Sequence, residues 1–159
     1  MPNIEITIHT DGSCIGNPGP GGYAAVLRRL EDGSEIKKRI VSGCNVETTN
    51  NRMELMAAVE GLKALRADET ARITILSDSQ YLVNGMTKWL PKWQASGWRK
   101  AGGKPVGNSD LWHHLIAASS SHDVRWVWVR GHRGNHQNKE ADRLASSQAH
   151  NANARAFRR

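Results

Sequence analysis

The chain has 159 residues, with 22 Lys and Arg against 15 Asp and Glu and a formal net charge of +7; its pI is near 9.9. That length fits one domain able to bury a core without disulfide or metal staples, and no apolar run approaches the roughly 18 residues of a membrane span. The basic balance favours a polyanionic partner, nucleic acid before membrane, because no Lys-rich amphipathic anchor helix stands out.

Ile4, Ile6 and Ile8 alternate with polar residues, the period of a strand, and YAAVLRR (23–29) and EIKKRIVSG (35–43) continue the pattern as an antiparallel meander. From Thr49 the period changes: Leu55, Ala58, Val59, Leu62 and Leu65 recur at three and four, an amphipathic helix. RITILSD (72–78) reads as a strand and Ser79 to about Trp93 as helical. NSDLWHHLIAA (108–118) reads as a helix with Ser109 or Asp110 as N-cap, and DVRWVWV (123–129) as the last strand. A final helix, NKEADRLASSQA (138–149), closes a single domain over 1–150, and the basic tail 151–159 is expected to be loosely held. Three strands followed by alternating helices and strands imply an α/β fold: a mixed five-stranded sheet, three antiparallel strands and then two parallel, with helices on both faces. Cys14 and Cys44 follow no metal-site or disulfide spacing, and the N-terminus lacks the regions of an export signal. A reduced, cytoplasmic protein is expected.

Two strands end on carboxylates, EITIHTD on Asp11 and RITILSD on Asp78. Either one alone is ordinarily a turn or cap residue. Paired in parallel through a crossover helix, however, both emerge at the C-terminal edge of the sheet, where open α/β folds bind ligands. Two close carboxylates share a proton or bind a cation. Glu54 lies at the margin of the apolar stripe of its helix and Asp142 shares a row with Ala145, Ser146 and Ala149, so both are placed partly inward. Four such acids form the oxygen-rich donor set that Mg²⁺ prefers, and in a basic protein they point to phosphodiester hydrolysis.

TDGSCIGNPGPGGYAAVL, TTNNRMELMAA, SDSQYLVNG, GNSDLW and VRGHRGNHQNKEADRLA, in that order over about residues 4–149, closely resemble ribonuclease H of the bacterial type 1 class. The resemblance implies a ribonuclease H-like fold and an endonuclease that cuts the RNA strand of RNA/DNA hybrids, leaving 5′-phosphate and 3′-hydroxyl ends. It implies two Mg²⁺ ions per active site, with Mn²⁺ as a substitute, and a monomer whose partner is the hybrid duplex, with neither a membrane nor an obligate protein partner. By resemblance the acidic tetrad is Asp11, Glu54, Asp78 and Asp142, with Asp11 bridging both ions, and the mobile catalytic histidine is His132. Contacts to the RNA strand fall on Cys14 (through its backbone), Asn17, Asn50, Glu54 and Gln80; Asn51 lies near the DNA strand and Thr49 near one of its phosphates.

KWLPKWQASGWRKAGGKPVGN (88–108) interleaves tryptophan with Lys and Arg and resembles the family's basic protrusion, a surface suited to gripping phosphates. Lys92, Trp93, Trp98, Arg99 and Lys100 are its expected substrate contacts, with Trp93 lining the DNA-strand channel, Trp89 structural, and Trp126 and Trp128 in the core. The chain departs from the family pattern in several places. QAS and AGG stand where lysines are common, Pro91 interrupts the segment, and Asn135-His136 replaces a His-Pro order after His132. Glu140, two residues before Asp142, is read as a solvated acid. A silent hybrid- or double-stranded-RNA-binding module and a DNA resolvase-like nuclease are the alternatives; the intact tetrad disfavours the first, and the 2′-hydroxyl-reading residues and the protrusion disfavour the second.

Overall fold

A computed structural model describes residues 2–131 and 136–157, without the side chains of His136 and Gln137. Its strands are β1 (Ile4–Cys14), β2 (Gly19–Glu31), β3 (Ser34–Thr48), β4 (Arg72–Ser77) and β5 (Val124–Trp128). Its helices are α1 (Asn50–Lys63), α2 (Gln80–Asn84), α3 (Leu90–Ala95), α4 (Ser109–Ser119) and α5 (His136–Phe157). The five strands form one sheet in the order β3-β2-β1-β4-β5. β1–β2 and β2–β3 pair antiparallel, and β1–β4 and β4–β5 pair parallel. This is the expected mixed sheet.

The β2–β3 hairpin turns on Asp32-Gly33, both at positive φ (49° and 86°), the two-residue connection that matches strand twist. β2 and β3 run past both ends of the segments expected from sequence, because pairing with a neighbour carries the ladder into residues that show no alternation. On one face of the sheet α1 and α4 enclose Ile6, Ile8, Leu55, Leu62, Ile73, Ile75, Trp112 and Leu115, all buried. On the other, α5 lies across β2 so closely that a Cβ on Gly22 would stand 2.5 Å from Ala145 O and Ala149 N.

α5 continues to Phe157 and buries Ala152 completely, so residues 151–157 are helical where a loosely held tail was expected. Ala141, Ala145, Ala149 and Ala152 extend one stripe at helical spacing, but alanine is too weakly apolar to mark that stripe in the sequence. The N-cap of α4 is Asn108 (φ 60°), not Ser109 or Asp110. Its side chain is engaged elsewhere, accepting from Arg52 Nη1 at 3.3 Å and donating to Tyr81 Oη at 3.0 Å.

Ser79 to Ala95 is one helical run broken by a π-helical stretch, Gly85–Trp89. Gly85 permits the run to seat on α4: a Cβ there would stand 2.0 Å from the Trp112 ring. Gly85→Ala is therefore expected to lower Tm by roughly 5 °C, the cost of overpacking a filled core. An unshifted thermal melt would show that α4 can retreat without penalty.

Candidate active site

β1 and β4 are in parallel register with Thr10 opposite Ser77, so the next residue of each strand, Asp11 and Asp78, emerges side by side at the sheet edge. Gly12 brings in the third acid. A Cβ at Gly12 would lie 2.5 Å from Glu54 N and 2.6 Å from Met53 C, so only glycine lets the first turn of α1 rest on the end of β1. That turn is fixed by Thr49, whose Oγ1 accepts from Arg52 N at 3.2 Å as N-cap. As a result, Asp11, Glu54 and Asp78 each offer an oxygen within 4.8 Å of one another.

Asp11 and Glu54 are each only 4% exposed. Burial, then the charge of Asp78, then a hydrogen bond with Asp142 push the Asp11 carboxyl up to about 8. Burial, followed by the charges of Asp11 and Asp78, raises Glu54 well above the usual carboxylate range. Glu54 Oε2 is buried with no hydrogen-bond partner among the described residues. Buried like charges that cannot all ionise, together with an orphaned carboxylate oxygen, are what a hard divalent cation relieves. The donor set fits Mg²⁺ or Mn²⁺.

Asp142 lies outside the 4.8 Å group, with its side chain exposed at the mouth. It reaches Asp11 through the hydrogen bond and lines the same cleft of about 420 Å³. Asn50, Asn51, Glu54, Asp78 and Gln80 line it too, as do Ser79 and Tyr81, which the sequence did not single out. Tyr81 Oη accepts from Asn108 Nδ2 and from Trp112 Nε1 at 3.2 Å, tying the cleft wall to α4. Next to the cleft, Asn17 Oδ1 accepts from Asn50 N at 3.1 Å, joining the turn after β1 to the start of α1. The Cys14 thiol turns away toward Gly16 O, Gly19 O and Thr48 O, while its backbone lies at the end of β1 opposite Gly21. His132 lies outside the described residues.

In the protrusion, Lys92, Arg99 and Lys100 are exposed. Trp93 packs among Trp89, Trp98 and Trp112 at ring separations of 5.1–5.8 Å, and Trp98 stacks on His113 at 4.2 Å. The tryptophans thus serve as a partly buried footing that holds the cations outward. Pro91 does mark an interruption: it stands in the first turn of α3 directly after the π-helical stretch Gly85–Trp89, where the regular helical hydrogen-bond ladder is broken. Trp126 packs against the core. Trp128 does not: it is 42% exposed, and its Nε1–H donates to Asp78 O at 3.1 Å. β5 is an edge strand, and among the described residues nothing buries that position, which alternation alone could not reveal.

Residues 3–150 match the family model described as RNase H. The chain is 50% identical to the ribonuclease H of Paracoccus denitrificans over 136 residues, covering 86% of each. It is 49% identical to that of Novosphingobium aromaticivorans over 149 residues, covering 94% of this chain and 98% of the relative. Among solved structures, LC9-RNase H1, a type 1 RNase H with the type 2 active-site motif, superposes with a TM-score of 0.84 at 36% identity, over 96% of this chain and 75% of the other. With this sheet, this acidic edge and these relatives, the chain belongs to the ribonuclease H family of enzymes.

Proposed function

We propose that the protein is an endonuclease hydrolysing the RNA strand of RNA/DNA hybrids, acting as a cytoplasmic monomer and leaving 5′-phosphate and 3′-hydroxyl ends. The observation that carries this reading is the convergence of Asp11, Glu54 and Asp78 in a cleft whose walls are the polar residues Asn50, Asn51 and Gln80. The tetrad completed by Asp142 would hold two Mg²⁺ ions, with Mn²⁺ as substitute. The chemistry such a pair supplies is activation of the attacking water and neutralisation of charge on the leaving 3′ oxygen.

The chain's own part is to position and to select. Asp11 is oriented by Gly12 N–H, which donates to its Oδ1 at 2.9 Å, and Glu54 is fixed by the capped turn of α1. Asn17, Asn50, Gln80 and the Cys14 backbone would read the 2′-hydroxyls that separate RNA from DNA. Asn51, Thr49 and the protrusion residues Lys92, Trp93, Trp98, Arg99 and Lys100 would hold the DNA strand and its phosphates. His132 would move a proton at the reacting centre or speed product release.

The test is cleavage of sequence-matched RNA/DNA, RNA/RNA and DNA/DNA duplexes by the intact protein, with Mg²⁺ and with chelator. Cutting confined to the RNA strand of the hybrid, and absent with chelator, is expected. Binding without cutting would leave a binding module, and cutting of DNA/DNA would leave a nuclease of other specificity. Within this reading, Trp128→Phe deletes the bond to Asp78 O and is expected to lower kcat by roughly fivefold, the worth of one hydrogen bond, with KM unchanged. An unaltered kcat would free Asp78 from that support.

A further inference from the structure

An ion-pair group on the α5 face of the sheet stands apart from the acidic cleft. Arg28, on β2, is 5% exposed. Its Nη2 donates to Glu140 Oε1 at 2.5 Å and its Nε to Glu35 Oε1 at 3.0 Å. Lys38 Nζ, from β3, donates to Glu140 Oε2 at 2.7 Å. Both oxygens of Glu140 are thus held by cations from two strands. This overturns its sequence reading as a solvated acid, since its partners lie 112 and 102 residues away.

Glu140 is two residues before Asp142, and side chains so spaced on a helix point in nearly opposite directions. Pinning one to the sheet therefore fixes the rotation at which the other is presented. The rest of the α5 interface is a stripe of small residues, Ala141, Ala145, Ala149 and Ala152, closest to the sheet at Gly22, with Gln148 Nε2 donating to Ser42 Oγ at 3.3 Å farther along the helix; the clamp on Glu140 acts at the end of α5 that carries Asp142. Asp142 is also the member of the tetrad that most needs placing: it reaches Asp11 from the helix, outside the tight group of three.

We propose that Glu140, clamped by Arg28 and Lys38, is a positioning residue that holds Asp142 at the acidic cluster and so sets the affinity of the site for divalent cations. This rests on the reading of Asp142 as the fourth acid. Support around metal ligands commonly governs affinity in this way.

The experiment titrates Mg²⁺ into the intact, substrate-free protein by calorimetry and measures the Mg²⁺ dependence of hybrid cleavage, for wild type, Glu140→Gln, Lys38→Gln, Asp142→Asn and Glu69→Gln. Glu69→Gln breaks an ion pair with Arg29, at 2.6 Å, that involves none of the acids, and serves as the stability control. Glu140→Gln is expected to weaken Mg²⁺ binding roughly 10-fold, with cleavage restored by added Mg²⁺ and hybrid KM unchanged. Lys38→Gln, an exposed change with little risk to folding, should shift Mg²⁺ affinity in the same direction by a smaller factor. Wild-type Mg²⁺ affinity in Glu140→Gln and Lys38→Gln, with only Tm lowered as in Glu69→Gln, would overturn the proposal. Unchanged Mg²⁺ affinity in Asp142→Asn would instead remove Asp142 from the tetrad, and the proposal with it.

Discussion

Asp11→Asn is expected to abolish Mg²⁺-dependent cleavage and, in metal-free buffer near pH 8, to raise Tm by roughly 5–10 °C. Both effects have one cause. Burial and the neighbouring Asp78 charge hold the Asp11 carboxyl at about 8 in the fold, against about 3.9 in the unfolded chain. A raised folded value means that the native state binds the extra proton. Stability from this group is therefore fully present below about pH 4 and lost as pH rises through about 8. By pH 8 the loss is about 2–4 kcal/mol, allowing for proton sharing with Glu54, and the neutral Asn side chain removes it.

His9 acts in the opposite sense. Its pKa is lowered to about 4 by burial and then by Arg28, with Glu140 opposing. Its contribution is present above about 6.5 and lost as pH falls toward 4. Being common to both proteins, it cancels in the difference, so the Tm gap between Asp11→Asn and wild type should widen steadily from pH 4 to 8. Mg²⁺ should raise the wild-type Tm at pH 8 and leave that of Asp11→Asn much less altered, because ligand linkage requires the site. A pH-independent gap, or equal Mg²⁺ stabilisation of both, would contradict the account of the cluster.

Neutralising Lys92, Arg99 and Lys100 together to Gln is expected to raise hybrid KM roughly 100-fold near 0.1 M salt and to reduce the salt slope of binding by about one unit per lost phosphate contact. The maximal rate at saturation should hold, because these side chains stand on the protrusion and do not line the acidic cleft. Arg99 is the informative member: its Nη1 already donates to Gly103 O at 2.9 Å, which aims the guanidinium and shapes the loop closed by the Arg99–Pro105 bridge. A salt slope unchanged in the triple variant would take the protrusion out of substrate binding.

What could be read in advance followed the reach of local chemistry. The alternation of Ile4, Ile6 and Ile8, the helical spacing of Leu55 to Leu65 and the two strand-ending aspartates are local patterns, and the sheet order and acidic edge follow from them with the right-handed crossover. Elements defined by weakly apolar or doubly used residues could not be read. The helix through Phe157 rests on alanines, and the α4 cap was obscured by an Asn108 side chain shared between Arg52 and Tyr81. Trp128 carries the same residue type and period as Trp126, yet one packs against the core and the other lies open at the edge of β5.

The order of residues was therefore enough to specify the mixed sheet and its acidic edge, because strand and helix periods and a carboxylate at a strand end are properties of short segments; the family was legible only from the motifs taken together as a resemblance. Which acid is buried, how far each pKa moves, and that Glu140 is gripped by Arg28 and Lys38 instead of facing water depended on the assembled chain. Desolvation and charge pairing act between residues brought together across a hundred positions of sequence, and their energies are set by distance and burial that exist only once the sheet and α5 have met.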